Sequence, residues 1–244
     1  MLKKEVAKGY EVLRLLYGTR FKKQYKVFDE EIKQLHNKHI NKRCFIIGTG
    51  PSLKYTNFSL IKDEIMMGVN NLFMSFIDFN INPQYWCVAD AKIFDNHYYN
   101  LLWLPTTLFL TDGAGQLFLH KPKDYPYGSR PLVTRPLSDM KSTKEFSKDM
   151  LKGVNGGMVT LSCLQIAYYL GFEEVYLLGC DCTSKGKHYD STVDVENKDD
   201  YWEHFFKLYE VCKKVYEKDG RKIYNATVGG NLEVFERKSL EDLK

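Results

Sequence analysis

The sequence predicts an α/β protein built on one doubly wound, mainly parallel β-sheet. Short apolar segments alternate with helical patterns along the 244 residues, as they do where helices join parallel strands. The first apolar segment runs directly into the turn Gly48-Thr49-Gly50-Pro51-Ser52, and later segments also end in polar residues. Because the carboxyl ends of parallel strands line the ligand crevice in such sheets, these observations predict a crevice for a polar ligand.

Within residues 43–244, six segments have the apolar composition of strands, and three are predicted helices; residues 3–17 and 24–37 also have helical spacing. Segment 174–179 is strongly apolar, and segment 200–218 places Trp202, Phe205 and Tyr209 on one side of a helix. The predicted strands are 43–48, 66–71, 85–90, 107–111, 174–179 and 221–224, and the predicted helices are 58–65, 155–170 and 200–218.

Two stretches show neither the strand pattern nor the helix pattern. Residues 112–150 are rich in Pro, Gly, Lys and Tyr, so we predict a loop or lid there rather than a further strand–helix unit. Residues 182–198 are polar and are predicted to form a loop after the strand that ends near Asp181.

The glycine turn narrows the class of ligand. Gly48 and Gly50 allow unusual backbone angles and a close approach to a ligand, because neither has a Cβ atom. The turn is not G-x-G-x-x-G, since Leu53 stands at the last glycine position, and no Gly-Lys-Ser/Thr follows it. The turn therefore indicates a nucleotide site and argues against ordinary NAD binding and P-loop ATPase chemistry.

Polar side chains follow five of the predicted strands. Each one taken singly is explained by loop capping, but together they favour a ligand crevice. A second glycine pair, Gly156-Gly157, precedes a predicted helix, where backbone N–H groups either meet a phosphate or allow close helix–strand packing. The strand-end residues are Thr49 and Ser52, Asn70 and Asn71, Asp90, Asp181, and Asn225 and Thr227.

Two histidines are candidate general bases. His188 lies in the loop after Asp181, where an exposed imidazole has a pKa suited to accepting a proton near neutral pH; the alternative is a plain surface histidine. His204 is the rival base, although its position beside Trp202 and Phe205 also fits a packing residue.

No residue spacing requires a metal ion. Asp90 and Asp181 could share Mg²⁺ if their strands are neighbours, and otherwise we expect no cofactor. The six cysteines form no C-x-x-C pair, so zinc ribbons and thioredoxin chemistry are not expected.

The N-terminal part is predicted to be a basic amphipathic helical arm over residues 1–42, ahead of a catalytic domain over 43–244. Residues 1–43 hold 12 Lys/Arg against 5 Asp/Glu, so the net positive charge of the chain comes from this part. The arm either forms a helical hairpin on the core or on a second subunit, or lies on an anionic membrane surface. No nucleic-acid module is visible.

Without a membrane-spanning run or signal-peptide core, we expect a cytoplasmic protein, with peripheral contact at the inner membrane face as an option.

Two related families share these motifs. Residues 47–53, 69–71, 89–90 and 170–181 resemble the bacterial family-42 sialyltransferases. The same residues, with 225–230, are similar to the domain-of-unknown-function-115 proteins, which include archaeal 6-hydroxymethylpterin diphosphokinases and bacterial flagellin-glycosylation proteins. The sialyltransferase resemblance implies one Rossmann-like domain with a lid, a CMP-sugar donor and no metal ion.

The resemblance also implies roles for individual residues. Thr49, Gly50 and Ser52 would contact the donor nucleotide, Asn70 would hold it, and Asp90 would lie near the donor sugar. Tyr189 would bind the departing phosphate, and Thr183 stands where that family has a second tyrosine. The sialyltransferase histidine would fall near His204, whereas His188 matches the sister group better. The full set of expected donor-site residues is Gly48, Thr49, Gly50, Pro51, Ser52, Asn70, Asn71, Asp90, Gly156, Gly157, Asp181 and Thr183.

These features predict a glycosyltransferase that moves a sugar from a nucleotide-sugar donor, with CMP favoured, to a cell-surface glycan or lipid-linked acceptor. The first alternative is a Mg²⁺-dependent, pyrophosphokinase-like phosphotransferase that uses ATP. The second alternative is a non-catalytic subunit that binds nucleotide-sugars.

Overall fold

One eight-stranded sheet with every strand pair parallel forms the centre of the protein. The computed structural model describes residues 24–120, 131–137, 146–155, 157–183, 185–187, 194–196 and 201–243. The strand order β10-β9-β6-β1-β2-β3-β4-β5 confirms the predicted doubly wound α/β fold. The strands are β1 Arg43–Ile47, β2 Ile65–Val69, β3 Tyr85–Val88, β4 Thr107–Leu110, β5 Leu132–Val133, β6 Glu174–Leu178, β9 Lys222–Asn225 and β10 Glu236–Arg237, and a separate antiparallel pair is formed by β7 Lys185–Lys187 and β8 Asp194–Glu196.

Helices connect the strands and cover the sheet, so its central strands are apolar on both faces. Among the described helices, none is long and apolar enough to cross a membrane. The α-helices are α1 Asp29–Gln34, α2 Phe76–Phe79, α3 Ala91–Leu102, α4 Asp112–His120, α5 Val159–Leu170 and α6 Tyr201–Lys218. Short 3-10 helices span Lys26–Phe28, Pro51–Tyr55, Phe58–Ile61, Leu72–Ser75 and Leu240–Leu243.

The strand order reverses between β1 and β6. From β1 the chain adds β2, β3, β4 and β5 on one side, and α5 then leads it back to place β6 on the other side of β1. Ligands of open parallel sheets bind outside the carboxyl ends of the two strands at such a switch point. The fold therefore points to the segments that directly follow Ile47 and Leu178.

Helix α5 is the buried crossover of the core. Eleven of its residues are buried, and it ends at Gly171, whose φ of 93° is the left-handed conformation that glycine adopts without strain. Two of its buried polar side chains have these partners: Ser162 donates to the Asn155 carbonyl at 2.7 Å, and Gln165 accepts from the Ser147 N–H at 3.2 Å. A helix buried on all sides tolerates polar side chains only where such bonds form.

The prediction of a loop or lid over residues 112–150 is wrong for two parts of that range. Residues 112–120 form α4, and Leu132 and Val133 form β5, which pairs in parallel with β4. The glycines that suggested a loop serve close helix–sheet packing, because a Cβ on Gly115 would lie 2.9 Å from the Leu110 carbonyl oxygen. Residues 121–130 and 138–145 lie outside the described residues.

Two predicted helices are shorter than expected, and one predicted loop contains two strands. The helix expected at 58–65 is the 3-10 helix Phe58–Ile61, and α5 begins at Val159 rather than at residue 155. The segment expected to be a loop, 182–198, includes the pair β7 and β8. The remaining predicted strands and the helix at 200–218 agree with the structure to within two residues.

Residues 24–42 pack on the same core as the sheet. Tyr25, Phe28 and Ile32 are buried, and the Asp29 carboxylate accepts from Arg135 Nη2 at 2.6 and 2.7 Å. This part of the predicted arm therefore corresponds to the alternative in which it packs on the core. Residues 1–23, where the other half of the arm was predicted, lie outside the described residues.

His39 gives the fold a testable pH dependence. Its Nε2 lies 2.6 Å from the Tyr85 hydroxyl and its ring stacks on Phe172, while burial, together with Lys38 and Lys42, lowers the pKa of His39 to about 4. Since this folded-state pKa lies below the unfolded value of about 6.5, the stabilisation is present above that value and is lost as the pH falls towards 4. After allowance for partial exposure the loss is about 1 kcal/mol, or roughly 2–4 °C in Tm.

We expect His39→Gln to reduce the fall in Tm between pH 7 and pH 4 by that amount, measured by thermal unfolding. The variant His36→Gln is the matched control, because His36 is an exposed histidine three residues earlier in the chain. Parallel Tm curves for the wild type and His39→Gln would contradict this explanation.

Candidate functional site

Two loops meet at the switch point and continue the pairing of their strands. We call residues 48–52, which follow β1, the β1 loop, and residues 179–183, which follow β6, the β6 loop. The Gly48 N–H donates to the Leu178 carbonyl at 2.7 Å, and the Gly50 N–H donates to the Gly179 carbonyl at 2.8 Å. The two loops therefore lie against each other, and their backbones are held in register beyond the sheet.

The Asp181 carboxylate links the two loops. Its Oδ1 accepts from the Ser52 N–H at 3.2 Å, and its Oδ2 accepts from the Ser52 hydroxyl at 2.8 Å. Ser52 lies in the first turn of the 3-10 helix Pro51–Tyr55, where backbone N–H groups lack helical partners and a negative charge is stabilising. Asp181 thus caps this helix from another strand and sets the path of the β1 loop.

The close contact between the β1 loop and the β6 loop requires both glycines of the β1 loop. A Cβ on Gly50 would lie 1.8 Å from Asp181 Oδ2, and a Cβ on Gly48 would lie 2.5 Å from the Gly179 carbonyl oxygen. The sequence suggested that these glycines leave room for a ligand. The structure shows that they leave room for the β6 loop.

Asn70 directly follows β2, and its backbone bonds to the neighbouring strand β3. It has a φ of 47°, its carbonyl accepts from Trp86 Nε1 at 2.9 Å, and its N–H donates to the Cys87 carbonyl at 2.9 Å. Trp86 is fully buried and lies against Gly68, where a Cβ would be 2.1 Å from the indole ring. Asn70 therefore stands in a fixed left-handed turn at the crevice edge, and Asn71 follows it, half-buried.

Asp90, at the end of β3, caps α3. Its Oδ1 accepts from the Ile93 N–H at 2.9 Å, in the geometry of an N-cap residue. Its side chain is nevertheless exposed. Asp90 therefore has the structural role that its position alone suggests, and it also faces solvent beside the crevice.

Asp90 and Asp181 do not follow neighbouring strands. The strand order places β1 and β2 between their strands, so the ends of those strands are three inter-strand spacings, or roughly 14 Å, apart. Mg²⁺ binds its ligands at about 2.0–2.1 Å. The shared site required neighbouring strands, and these two strands are not neighbours. Within the described residues, no group of three or more His, Cys, Asp or Glu side chains could hold a metal ion.

Asn225, the last residue of β9, supports the turn that follows this strand, and Thr227 supports the β6 loop from within. They are 1% and 4% exposed, so they are not part of an open crevice as predicted. Thr227 Oγ1 accepts from the Cys180 N–H at 3.0 Å, and the Asn225 amide donates to the Leu232 carbonyl at 2.7 Å. The Asn231 N–H donates to the Asp181 carbonyl at 2.8 Å. Asn231 was missed by the sequence reasoning, and the Gly229-Gly230 pair before it was the available signal of a tight turn.

The thiols beside Asp181 are not nucleophiles. Burial raises the pKa of Cys182 to about 12 and raises the pKa of Cys180 further above its usual range. A protonated thiol is a poor nucleophile at neutral pH. These side chains instead fill the space beneath the β6 loop, near the buried Tyr209.

Some of the remaining predicted site residues lie within the described residues, and the others do not. The Gly157 N–H donates to Asn155 Oδ1 at 3.0 Å, so it is not directed at a phosphate as the sequence suggested. Thr183 is half-buried in the β6 loop, and His204 is exposed on α6 with its ring 5.4 Å from Phe205. Gly156, His188 and Tyr189 lie outside the described residues.

The chain belongs to the family described as 6-hydroxymethylpterin diphosphokinase MptE-like, whose model matches residues 19–187. The match includes the β1 loop, Asn70, Asp90 and the β6 loop, and it ends one residue before His188. It confirms the resemblance to the superfamily that includes these diphosphokinases. No curated protein sequence matches the chain.

Two solved structures are similar to the chain. The MAf glycosyltransferase from Magnetospirillum magneticum AMB-1 has 16% identity and a TM-score of 0.55, over 86% of this chain and 35% of that one. The sialyltransferase CstII from Campylobacter jejuni, in complex with a substrate analogue, cytidine-5'-monophosphate, has 16% identity and a TM-score of 0.40, over 81% of this chain and 85% of that one. The chain therefore spans about a third of the length of the first structure, with which it shares a fold. The family is named for a diphosphokinase.

The loop contact makes Gly50 sensitive to substitution. In Gly50→Ala the new methyl group would overlap the Asp181 carboxylate and the Gly179 carbonyl, so the two loops must separate. We expect the free energy of unfolding to fall by about 1–3 kcal/mol, measured by urea denaturation followed by circular dichroism.

Gly157→Ala is the matched control for that variant. Its new Cβ would lie 3.4 Å from the nearest atom, which is ordinary contact, so we expect a change within about 0.5 kcal/mol. Equal losses in the two variants would show that the contact between the loops does not restrict position 50.

Proposed function

We propose that the protein is a glycosyltransferase that transfers a sugar from a nucleotide-sugar donor, with CMP favoured, to a cell-surface glycan acceptor. The observation that carries this proposal is the pair of linked loops at the switch point of a parallel sheet. The resemblance of the same residues to bacterial sialyltransferases supports it, as does the fold shared with a structure named as a glycosyltransferase.

The accessible strand-end residues form one row across four adjacent strands. Thr183, Asp181, Thr49, Asn70 and Asn71 are half-buried, and the row ends at the exposed Asp90. It runs from β6 across β1 and β2 to β3, which suits an extended ligand with a base, a phosphate and a sugar. In this proposal the nucleotide lies on the β1 loop and Asn70, and the donor sugar lies towards Asp90.

The proposed reaction needs a base and a group that stabilises the leaving phosphate. The bond between the anomeric carbon and the phosphate oxygen breaks, the acceptor oxygen bonds to that carbon, and the acceptor proton passes to a histidine. His188 is the first candidate for this base and His204 is the second, while Tyr189 would bind the departing phosphate. A basic arm at the N-terminus would suit a lipid-linked acceptor at an anionic membrane face.

A Mg²⁺-dependent phosphotransferase is the second candidate function, because the matching family is named for a diphosphokinase. That function would require ATP phosphates and Mg²⁺ at the same crevice. The separation of Asp90 from Asp181 argues against the paired-carboxylate form of this site, so any ion would depend on one of them together with the phosphates.

Ligand-induced stabilisation separates these candidates. We expect a cytidine nucleotide at about 100 times its Kd to raise Tm by roughly 5–10 °C without Mg²⁺, since binding to the folded state alone contributes about 2.7 kcal/mol. The screen uses CMP, CMP-sialic acid, UDP- and GDP-sugars and ATP, each with Mg²⁺ or with EDTA.

Asp181→Asn should reduce this shift, because it removes the charge that orders the β1 loop. Asp63→Asn is the control, since Asp63 is an exposed aspartate just before β2, at the opposite edge of the sheet. A shift seen only with ATP and Mg²⁺ would favour the phosphotransferase instead, and binding without any donor turnover would favour a non-catalytic subunit.

Variants of the two histidines identify the base. We expect His188→Ala to reduce turnover of the bound donor by about 100-fold or more, because general-base catalysis contributes that much, while its nucleotide shift is retained. His204→Ala should stay within about threefold of wild type. The reverse pattern would make His204 the base, and full activity in both variants would remove histidine from the mechanism.

A further inference from the structure

Four large apolar side chains face solvent at the carboxyl edge of the sheet, where the crevice lies. Met74 is in the 3-10 helix that follows Asn70 and β2, while Tyr55 follows the β1 loop and lines one cavity with Val228, which follows β9. Single exposed apolar residues are ordinary on protein surfaces, but four along one edge of a sheet favour an interaction surface. The four and their exposed fractions are Val27 59%, Tyr55 65%, Met74 56% and Val228 50%.

The N-terminal part of the chain joins the structure at this same edge. The Asp29 carboxylate accepts from Arg135, which lies just beyond the carboxyl end of β5, and the Arg135 guanidinium lies 6.0 Å from the centre of the Tyr25 ring. Burial raises the pKa of Tyr25 to about 12, and the carboxylate of Asp112, at the start of α4, also acts to raise it. Val27, between Tyr25 and Asp29, therefore lies at the β4–β5 end of the carboxyl edge.

The chain that arrives at this edge is basic. Residues 1–23 hold 7 Lys/Arg against 2 Asp/Glu. Lys26, Lys54 and Lys92 are exposed along the edge, and the exposed Asp90 carries the opposite charge. Each basic residue close to an anionic bilayer strengthens binding by about fivefold, and exposed apolar side chains add to this by entering the headgroup region. The edge therefore has the chemistry of a surface that binds anionic lipid.

We propose that the carboxyl edge of the sheet docks on an anionic lipid bilayer, with the four exposed apolar side chains in the headgroup region. The ends of β9 and β5 are six inter-strand spacings, or roughly 29 Å, apart. Contacts that far apart fix the tilt of the sheet, so the crevice faces the bilayer. The inference deepens the proposed function by naming the face that meets a lipid-linked acceptor, and it rests on that function only for the acceptor.

Cosedimentation of the full chain with lipid vesicles tests this surface. The vesicles are phosphatidylcholine with about 30% phosphatidylglycerol, or phosphatidylcholine alone, and we expect the wild type to bind the anionic vesicles at least about 10-fold more tightly. The double variant Val27→Asp/Met74→Asp should weaken that binding by about 10-fold or more, because two apolar contacts are replaced by two negative charges. Circular dichroism checks that the variant is folded.

Ile40→Asp/Trp103→Asp is the matched control. These side chains are 54% and 62% exposed and lie near the amino ends of β1 and β4, at the opposite edge of the sheet. The length of a strand separates the two edges by roughly 16 Å, about two Debye lengths at physiological salt, so we expect binding within about twofold of wild type. The inference is overturned if the wild type does not bind anionic vesicles, if Val27→Asp/Met74→Asp binds as well as wild type, or if both double variants lose binding equally.

A fluorescent label reports the orientation directly. All six native cysteines are buried, so an exposed new thiol can be labelled selectively with the environment-sensitive fluorophore NBD. We expect the emission of labelled Met74→Cys to rise and shift to shorter wavelength on anionic vesicles, and that of labelled Trp103→Cys to stay unchanged. The reverse pattern, or an equal change at both positions, would contradict the proposed docking.

Two further outcomes are distinguished by these measurements. An emission change of labelled Met74→Cys that appears without vesicles and grows with protein concentration would assign the edge to a second copy of the chain and overturn the inference. None of the measurements requires a donor, so a failure of the proposed function would appear separately, as the absence of nucleotide binding in a wild-type protein that still binds vesicles.

Discussion

The hydrogen bonds between the Asp181 carboxylate and Ser52 are the constraint on which the site depends. A carboxylate that follows one strand caps the short helix that follows its neighbour, so the two loops at the switch point are tied together. The close approach leaves no space for a Cβ at position 50, which explains Gly50. Because Asp181 is engaged in this way, its main role is to position the β1 loop.

The strand order then decides what the other polar strand ends can do. Asp90 and Asp181 lie on opposite sides of β1 and β2, so their strands are not neighbours. Asn225 and Thr227 are turned inward, where Thr227 bonds to the β6 loop and Asn225 bonds to the Leu232 carbonyl. The result is a row of accessible residues that runs from the β6 loop across the β1 loop to Asp90, at the switch point where open parallel sheets bind ligands.

Most of the fold could be predicted from the sequence because central parallel strands are apolar on both faces. Residues 43–47 and 174–178 have this composition, and β1 and β6 were located to within a residue. The unit β4–α4–β5 was missed for a physical reason. Gly113 and Gly115 lower helix propensity, yet Gly115 is needed where α4 lies close to the Leu110 carbonyl, a demand that local patterns do not show.

The sequence by itself determined the class of fold, the glycine turn after β1 and the polar residue types at the strand ends, because these depend on local composition. Only the tertiary structure decided which strand ends are neighbours, since strand order is set by pairing between residues far apart in the chain. That order brings Ser52 to Asp181, 129 positions away, and separates Asp181 from Asp90. The same packing buries Asn225 and leaves Asp90 exposed, although the two look alike in the sequence.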